Sequence, residues 1–231
     1  LAHLHNAAEG YDAPARGPHA LVTSSMILTA ADPIAAAADY VHARPAVAAY
    51  FKHRSWWAEL ALIWEQLDGE GVARDCAQQP ALWTHGDWHP SNLLWNRDGS
   101  AATVLDFGLA DRSFALHDLA MAIERCAIPW LGLEKGLLTE PANAAAARDL
   151  IAGYHAVRTL SAADRDLLLR LLPLVHVEFA LSEVDYFAGL LNDKASADLA
   201  WDGYALGHAR WFLSSAGQEF LRDVANEGGA A

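Results

Sequence analysis

Apolar residues recur at helical spacing along most of this chain and give way to short β-prone pieces in one central region. Residues 33–43 and 45–67 each place a proline in a first turn and run on in Ala, Leu and aromatic side chains. They reach a stop at Asp68-Gly69, which predicts a helical pair. Leu1-Ala2-His3-Leu4-His5 also reads as helix. From His117 the 3.6-residue period returns over residues 117–126, 141–158, 162–191, with a kink expected at Pro173, and 195–224. Ser161 with Asp164 three residues on is an N-terminal cap signal, and the alanines at 142–147 favour helix. The Gly-Gly-containing end at residues 227–231 is expected to fray. Between 82 and 106, Leu93-Leu94-Trp95 and Thr103-Val104-Leu105 flank the turn cluster Asn96-Arg97-Asp98-Gly99-Ser100, which predicts a hairpin. The pattern therefore predicts an α+β fold, predominantly helical, with one small β-hairpin region. No repeat or low-complexity linker divides residues 1–231.

Composition adds that this is a folded chain: 53% of its residues are hydrophobic and 19% charged, far from a disordered profile. The run over 167–177 is broken by Arg170 and Pro173 and falls short of the ~20 residues of a membrane span. No cleavable signal is visible at the start, and Cys76 and Cys126 lack metal-like spacing, so a reducing cytoplasm is the expected setting. Sixteen basic against 29 acidic side chains give a net charge of −13. That balance disfavours a nucleic-acid partner. It is compatible with a cationic small molecule, although acidity also serves solubility alone.

The candidate chemistry lies in His85-Gly86-Asp87-Trp88-His89-Pro90-Ser91-Asn92 and Leu105-Asp106-Phe107-Gly108. Phosphoryl transfer requires an oriented acceptor hydroxyl, one or two magnesium ions on the nucleotide phosphates, and neutralisation of the charge that moves. Asp87 suits acceptance of the hydroxyl proton, a task of placement more than of a perturbed pKa. Pro90 keeps the following segment out of regular helix or central strand, so the Asn92 amide oxygen can turn back toward the same cavity. Asp106 ends the strand-like run Ala102-Thr103-Val104-Leu105, and a carboxylate there suits a hard cation such as magnesium. A rival reading uses the alternation of His85, Asp87 and His89, which on a strand would face one side like the ligands of a metal-dependent hydrolase. Pro90 and the missing further ligands count against it.

The pattern H-G-D-x-H-x-x-N followed by an L-D-F-G-type Asp resembles the aminoglycoside phosphotransferase and choline kinase superfamily, whose folds are similar to protein kinases. His117-Asp118-Leu119-Ala120 adds to the match. The resemblance implies a kinase-like C-terminal lobe in which the hairpin region carries the catalytic and metal loops. It implies Asp87 as catalytic base, Asn92 and Asp106 as magnesium ligands, and His85 and Asp118 as supports of the catalytic loop. ATP and Mg2+ are the implied cofactors, and a small-molecule hydroxyl, cationic in several of these enzymes, is the implied acceptor. A complete enzyme of this kind also has a phosphate-covering loop and a strand lysine. Lys52, Lys135 and Lys194 do not suit that role. The expectation is thus a single C-terminal lobe without its nucleotide-clamping lobe, or else a non-catalytic remnant or binding protein of the same fold.

For the acceptor, Glu178, Ser182 and Asp185 fall at i, i+4 and i+7 and so share a helix face, which could bind an ammonium group. An ordinary solvent-exposed stripe fits the same spacing better, and only the resemblance raises the binding reading. Trp88, beside the expected base, is the tryptophan expected to contact acceptor. Trp56, Trp57 and Trp130 read more simply as packing residues, although each could line such a pocket.

Overall fold

The computed structural model describes residues 1–17, 20–130 and 142–226. It is mostly helical, with two small antiparallel sheets. Helix α1 (Ala2–Ala8) precedes an irregular stretch, and α2 (Pro33–His42) follows, with Pro33 in its first turn and the Asp32 carboxylate accepting from the Ala35 N–H. The expected helix over 45–67 is broken into α3 (Pro45–Phe51) and α4 (Trp56–Gln66). Asp68 then takes a left-handed conformation, φ 50°, and a further helix, α5 (Gly69–Cys76), starts where the sequence pattern predicted an end. Its turn fits because Gly69 lies flat against Trp64; a Cβ there would meet the indole at 2.2 Å.

Strand β1 (Ala81–Thr84) pairs antiparallel with β4 (Asp111–Phe114), and the expected hairpin forms between β2 (Leu93–Trp95) and β3 (Ala101–Val104). The two loops of interest are the connections between these sheets, residues 85–92 and 105–110. Behind them runs α6 (Ala115–Ala127), which is buried on nearly every side through Leu116, Leu119, Ala120, Met121, Ala122 and Ile123. A helix enclosed on all faces is the centre of a core, and any polar residue on it needs a buried partner. Asp118 and Glu124 are both on it.

The later helices surround α6. Helix Ala144–His155 is capped by Asn143 and helix Ala162–Leu171 by the Ser161–Asp164 capping box. The expected start at Pro141 and the 227–231 end lie outside the described residues. Around Pro173 the chain makes a break rather than a kink, and Val177–Val184 follows, continuing as a π-helical turn over Asp185–Leu190. The expected 195–224 helix is likewise divided into Lys194–Asp198, a π-helical stretch Leu199–Ala205, Leu206–Leu213 and Ser215–Ala225. Ser214 separates the last two and caps the second through the Gly217 N–H.

Candidate active site

The loop after β1 is suspended from one carboxylate. Asp118, fully buried on α6, accepts from the backbone N–H of His85 at 2.8 Å, from that of Gly86 at 2.9 Å and from His5 Nε2 at 3.0 Å. These donors, His5 foremost, hold its carboxyl below the ordinary carboxylate value against the opposing effect of burial. Gly86 has φ 74° and passes so close to its neighbours that a Cβ would lie 2.0 Å from Thr23 Oγ1 and 2.6 Å from the Leu109 carbonyl. Only glycine fits that turn. The turn directs the next residue, Asp87, to a partly exposed position.

His85 joins the two loops. Its Nε2 lies 2.8 Å from the Leu105 carbonyl, and its Nδ1 accepts from the Asp87 N–H at 3.2 Å. With Nε2 as donor both ring nitrogens are engaged, and the ring cannot also ligate a metal. The His85–Asp87–His89 triad of the hydrolase reading therefore does not assemble; His89 Nε2 stands 3.6 Å from Asp87 Oδ1. Asn92, in the short 3-10 turn Pro90–Asn92, donates through Nδ2 to Asp87 Oδ2 at 3.0 Å and to the Asp87 carbonyl at 2.9 Å. Its amide oxygen is the end left to meet a cation. Asp106 is left-handed at φ 55°, exposed, and caps the turn Phe107–Leu109 through the Gly108 N–H. It follows Leu105, whose N–H donates to the Asn92 carbonyl at 2.8 Å. Asp87, Asn92 and the backbone leading to Asp106 are thus one hydrogen-bonded unit.

Arg125, not anticipated from the sequence, forms an ion pair with Asp87 Oδ1 and lies over the Phe179 ring. A signal was present: Arg125 is seven residues beyond Asp118 on one helix, hence on the same face. Two other expectations need correction. Trp88 is 8% exposed and packs with Leu93 and Ala122 against Leu1, Leu4 and Val104, so it is core and not an acceptor wall. Glu178 is buried, and both its oxygens are occupied, Oε1 by the Ser24 hydroxyl and Oε2 by the Ile27 N–H at 2.8 Å. It anchors the irregular stretch 22–28. Ser182 Oγ accepts from the Val22 N–H at the same place, whereas Asp185 turns to Arg44 Nε at 3.3 Å. The shared face exists, but its acids are committed to separate structural contacts.

Burial pushes the Glu178 carboxyl up from 4.5 to about 7, with Ser24 and the amides of Ile27 and Met26 pulling the other way. The folded value lies above the unfolded one, so this group's contribution to stability is full below pH 4.5 and is lost as pH rises to about 7. Glu178→Gln keeps the shape and removes the titration. Chemical denaturation at pH 4 should show little change, and at pH 8 the variant should be more stable by up to about 3 kcal/mol. Equal pH dependence in both proteins would contradict the assignment.

The sequence profile of the Phosphotransferase enzyme family matches residues 1–165, which include α1, both loops and α6. The chain belongs to this family. Homoserine kinases of Caulobacter sp. (strain K31) and Phenylobacterium zucineum (strain HLK1) are each 34% identical to it, over 109 and 104 residues. Those stretches cover 47% and 42% of this chain and 28% and 29% of the relatives, so the chain spans under a third of the length of these curated relatives. No solved structure matches. In this member of the Phosphotransferase enzyme family, no described helix is long and apolar enough to cross a membrane.

Proposed function

We propose that the chain is the helical lobe of an ATP- and Mg2+-dependent small-molecule O-phosphotransferase. The observation that carries this reading is the fixed relation of Asp87, Asn92 and the Asp106 loop through Asp118 and His85. In it, Asp87 accepts the proton of the acceptor hydroxyl, while the Asn92 amide oxygen and the Asp106 carboxylate would hold magnesium, which neutralises charge on the transferring phosphoryl group. His85 and Asp118 hold the loops and take no part in the chemistry. Transfer ends with the γ-phosphoryl on the acceptor oxygen, ADP released and the hydroxyl proton on Asp87.

A cavity of about 280 Å³ lined by Glu124, Arg125, Trp130, Glu183, Tyr204 and His208 among others opens beside this unit, since Arg125 belongs both to its wall and to the Asp87 ion pair. It suits a small acceptor. The two homoserine kinase relatives support a hydroxy amino acid, whose carboxylate would meet Arg125 and whose ammonium would meet the acidic and aromatic wall. With a nucleotide-clamping lobe restored to the chain, ATP-dependent phosphorylation of homoserine, choline and an aminoglycoside, followed by ADP release, tests this reading. Turnover of homoserine above the other two is expected, and preference for the aminoglycoside would reject the acceptor class.

Titration of Mg-ATP into the chain tests the metal loop. Asp106→Asn should weaken magnesium-dependent binding by about 10-fold or more, an effect equivalent to at least about 1.4 kcal/mol. Unchanged magnesium dependence would remove Asp106 from the ligand set.

A further inference from the structure

We propose that Glu124, His176 and His208 form a binding site for one divalent transition-metal cation of the zinc class, at the inner wall of the cavity beside α6. The three residues come from separate elements: Glu124 from α6, His176 from the turn before Val177–Val184, and His208 from Leu206–Leu213. Each is at most 1% exposed. One donor atom from each lies within 4.8 Å of the others, and among the described residues they are the one His, Cys, Asp and Glu group gathered this closely.

The hydrogen bonding favours a cation over an ordinary buried cluster. His176 Nε2 is 3.0 Å from the Ala205 carbonyl, which fixes the proton on Nε2 and leaves a lone pair on Nδ1. That Nδ1 is buried without a hydrogen-bond partner. A buried imidazole lone pair left this way beside a carboxyl calls for a partner. The set is rich in lone pairs. His208 Nδ1 lies 3.1 Å from Glu124 Oε1, and Tyr204 Oη is 3.4 Å from Glu124 Oε2.

The ring positions also suit coordination. Ligands on one zinc-sized ion sit at about 2.0–2.2 Å from it and hence about 3–3.5 Å from one another. The His208–Glu124 contact, at 3.1 Å, already has that separation, and the His176 donor lies within 4.8 Å of both. Trp130 stacks on the His208 ring with centroids 3.4 Å apart and holds its plane. Two imidazoles with one carboxylate select a borderline cation such as Zn2+ over magnesium or calcium, which take oxygen sets. The cavity gives the ion its entry path. Bound there, the ion would tie α6, one residue from Arg125, to two late helices.

The test uses the whole chain, stripped with chelator and dialysed, with no ATP or acceptor present, so it fails or succeeds independently of the catalytic reading. Zn2+ is titrated calorimetrically, and Co2+ is followed by its visible absorption and by quenching of Trp130. One equivalent should bind, and binding should persist in Asp106→Asn. His208→Phe, which retains the stack on Trp130, should weaken it by about 100-fold or more. Glu124→Gln serves as a second variant if circular dichroism shows His208→Phe misfolded, and it should weaken binding by about 10-fold or more. No saturable binding, binding unaffected in both variants, or binding lost with the exposed His3 and His53 would overturn the proposal.

Discussion

With its nucleotide-clamping lobe restored, Asp87→Asn should lower the turnover of ATP-dependent phosphoryl transfer by about 10²–10⁴-fold, the range over which a positioned general base contributes. The substitution is nearly isosteric, and the Asn92 amide can still donate to the remaining oxygen, so the loop should keep its path. Nucleotide affinity should therefore change little. The Arg125 ion pair with Asp87 adds a second readout. If Asp87 is the base, Asp87→Asn loses turnover at any pH, whereas Arg125→Met should retain the base and chiefly raise the acceptor KM. Turnover of Asp87→Asn near that of the parent would remove the carboxylate from the chemistry.

Asp118→Asn should cost about 3–5 kcal/mol of stability, the usual penalty for breaking a buried charged network from one side. Three donors converge on this carboxylate, and an amide would turn an NH2 toward one of them. In a chain of this size the loss corresponds to a fall in Tm of roughly 10 °C. The pH dependence identifies the cause. The folded carboxyl titrates below its ordinary value of 3.8, so its contribution is present above that value and is lost as pH falls through the lower folded one. Thermal unfolding at pH 7 should separate the two proteins strongly, and the gap should narrow below pH 4. A constant gap across that range would mean that packing, not charge, explains the loss.

Much of this architecture is legible because local chemistry and tertiary packing agree. Pro33 after Asp32, the Ser161–Asp164 box and the turn Asn96–Ser100 each specify an element boundary within a few residues, and the structure places one there. The spacing from His85 to Asn92 and on to Asp106 marked two loops, each a short stretch of sequence, that the structure joins by hydrogen bonds. What was not legible depends on partners far along the chain. Asp68-Gly69 has the chemistry of a helix end, but the flat approach of Gly69 to Trp64 makes it a corner between two helices. The stretch 22–28 shows no period, since its order comes from Glu178 and Ser182 on a distant helix. Glu178 accordingly read as part of an exposed stripe, or by resemblance as an acceptor contact, and not as a buried anchor. Arg125 was hidden among helix-forming neighbours, and only its register with Asp118 marks the face it shares.

The position of His5 links the beginning of the chain to the loop that follows β1. It stands between the Tyr154 hydroxyl at 2.8 Å and the carboxylate that also receives the amides of His85 and Gly86. Fraying of the first helix would therefore be transmitted as slack in the turn that presents Asp87, although α1 itself is remote from that residue in the sequence. Amide exchange at residues 85 and 86 becomes a local gauge of how firmly that first helix is docked.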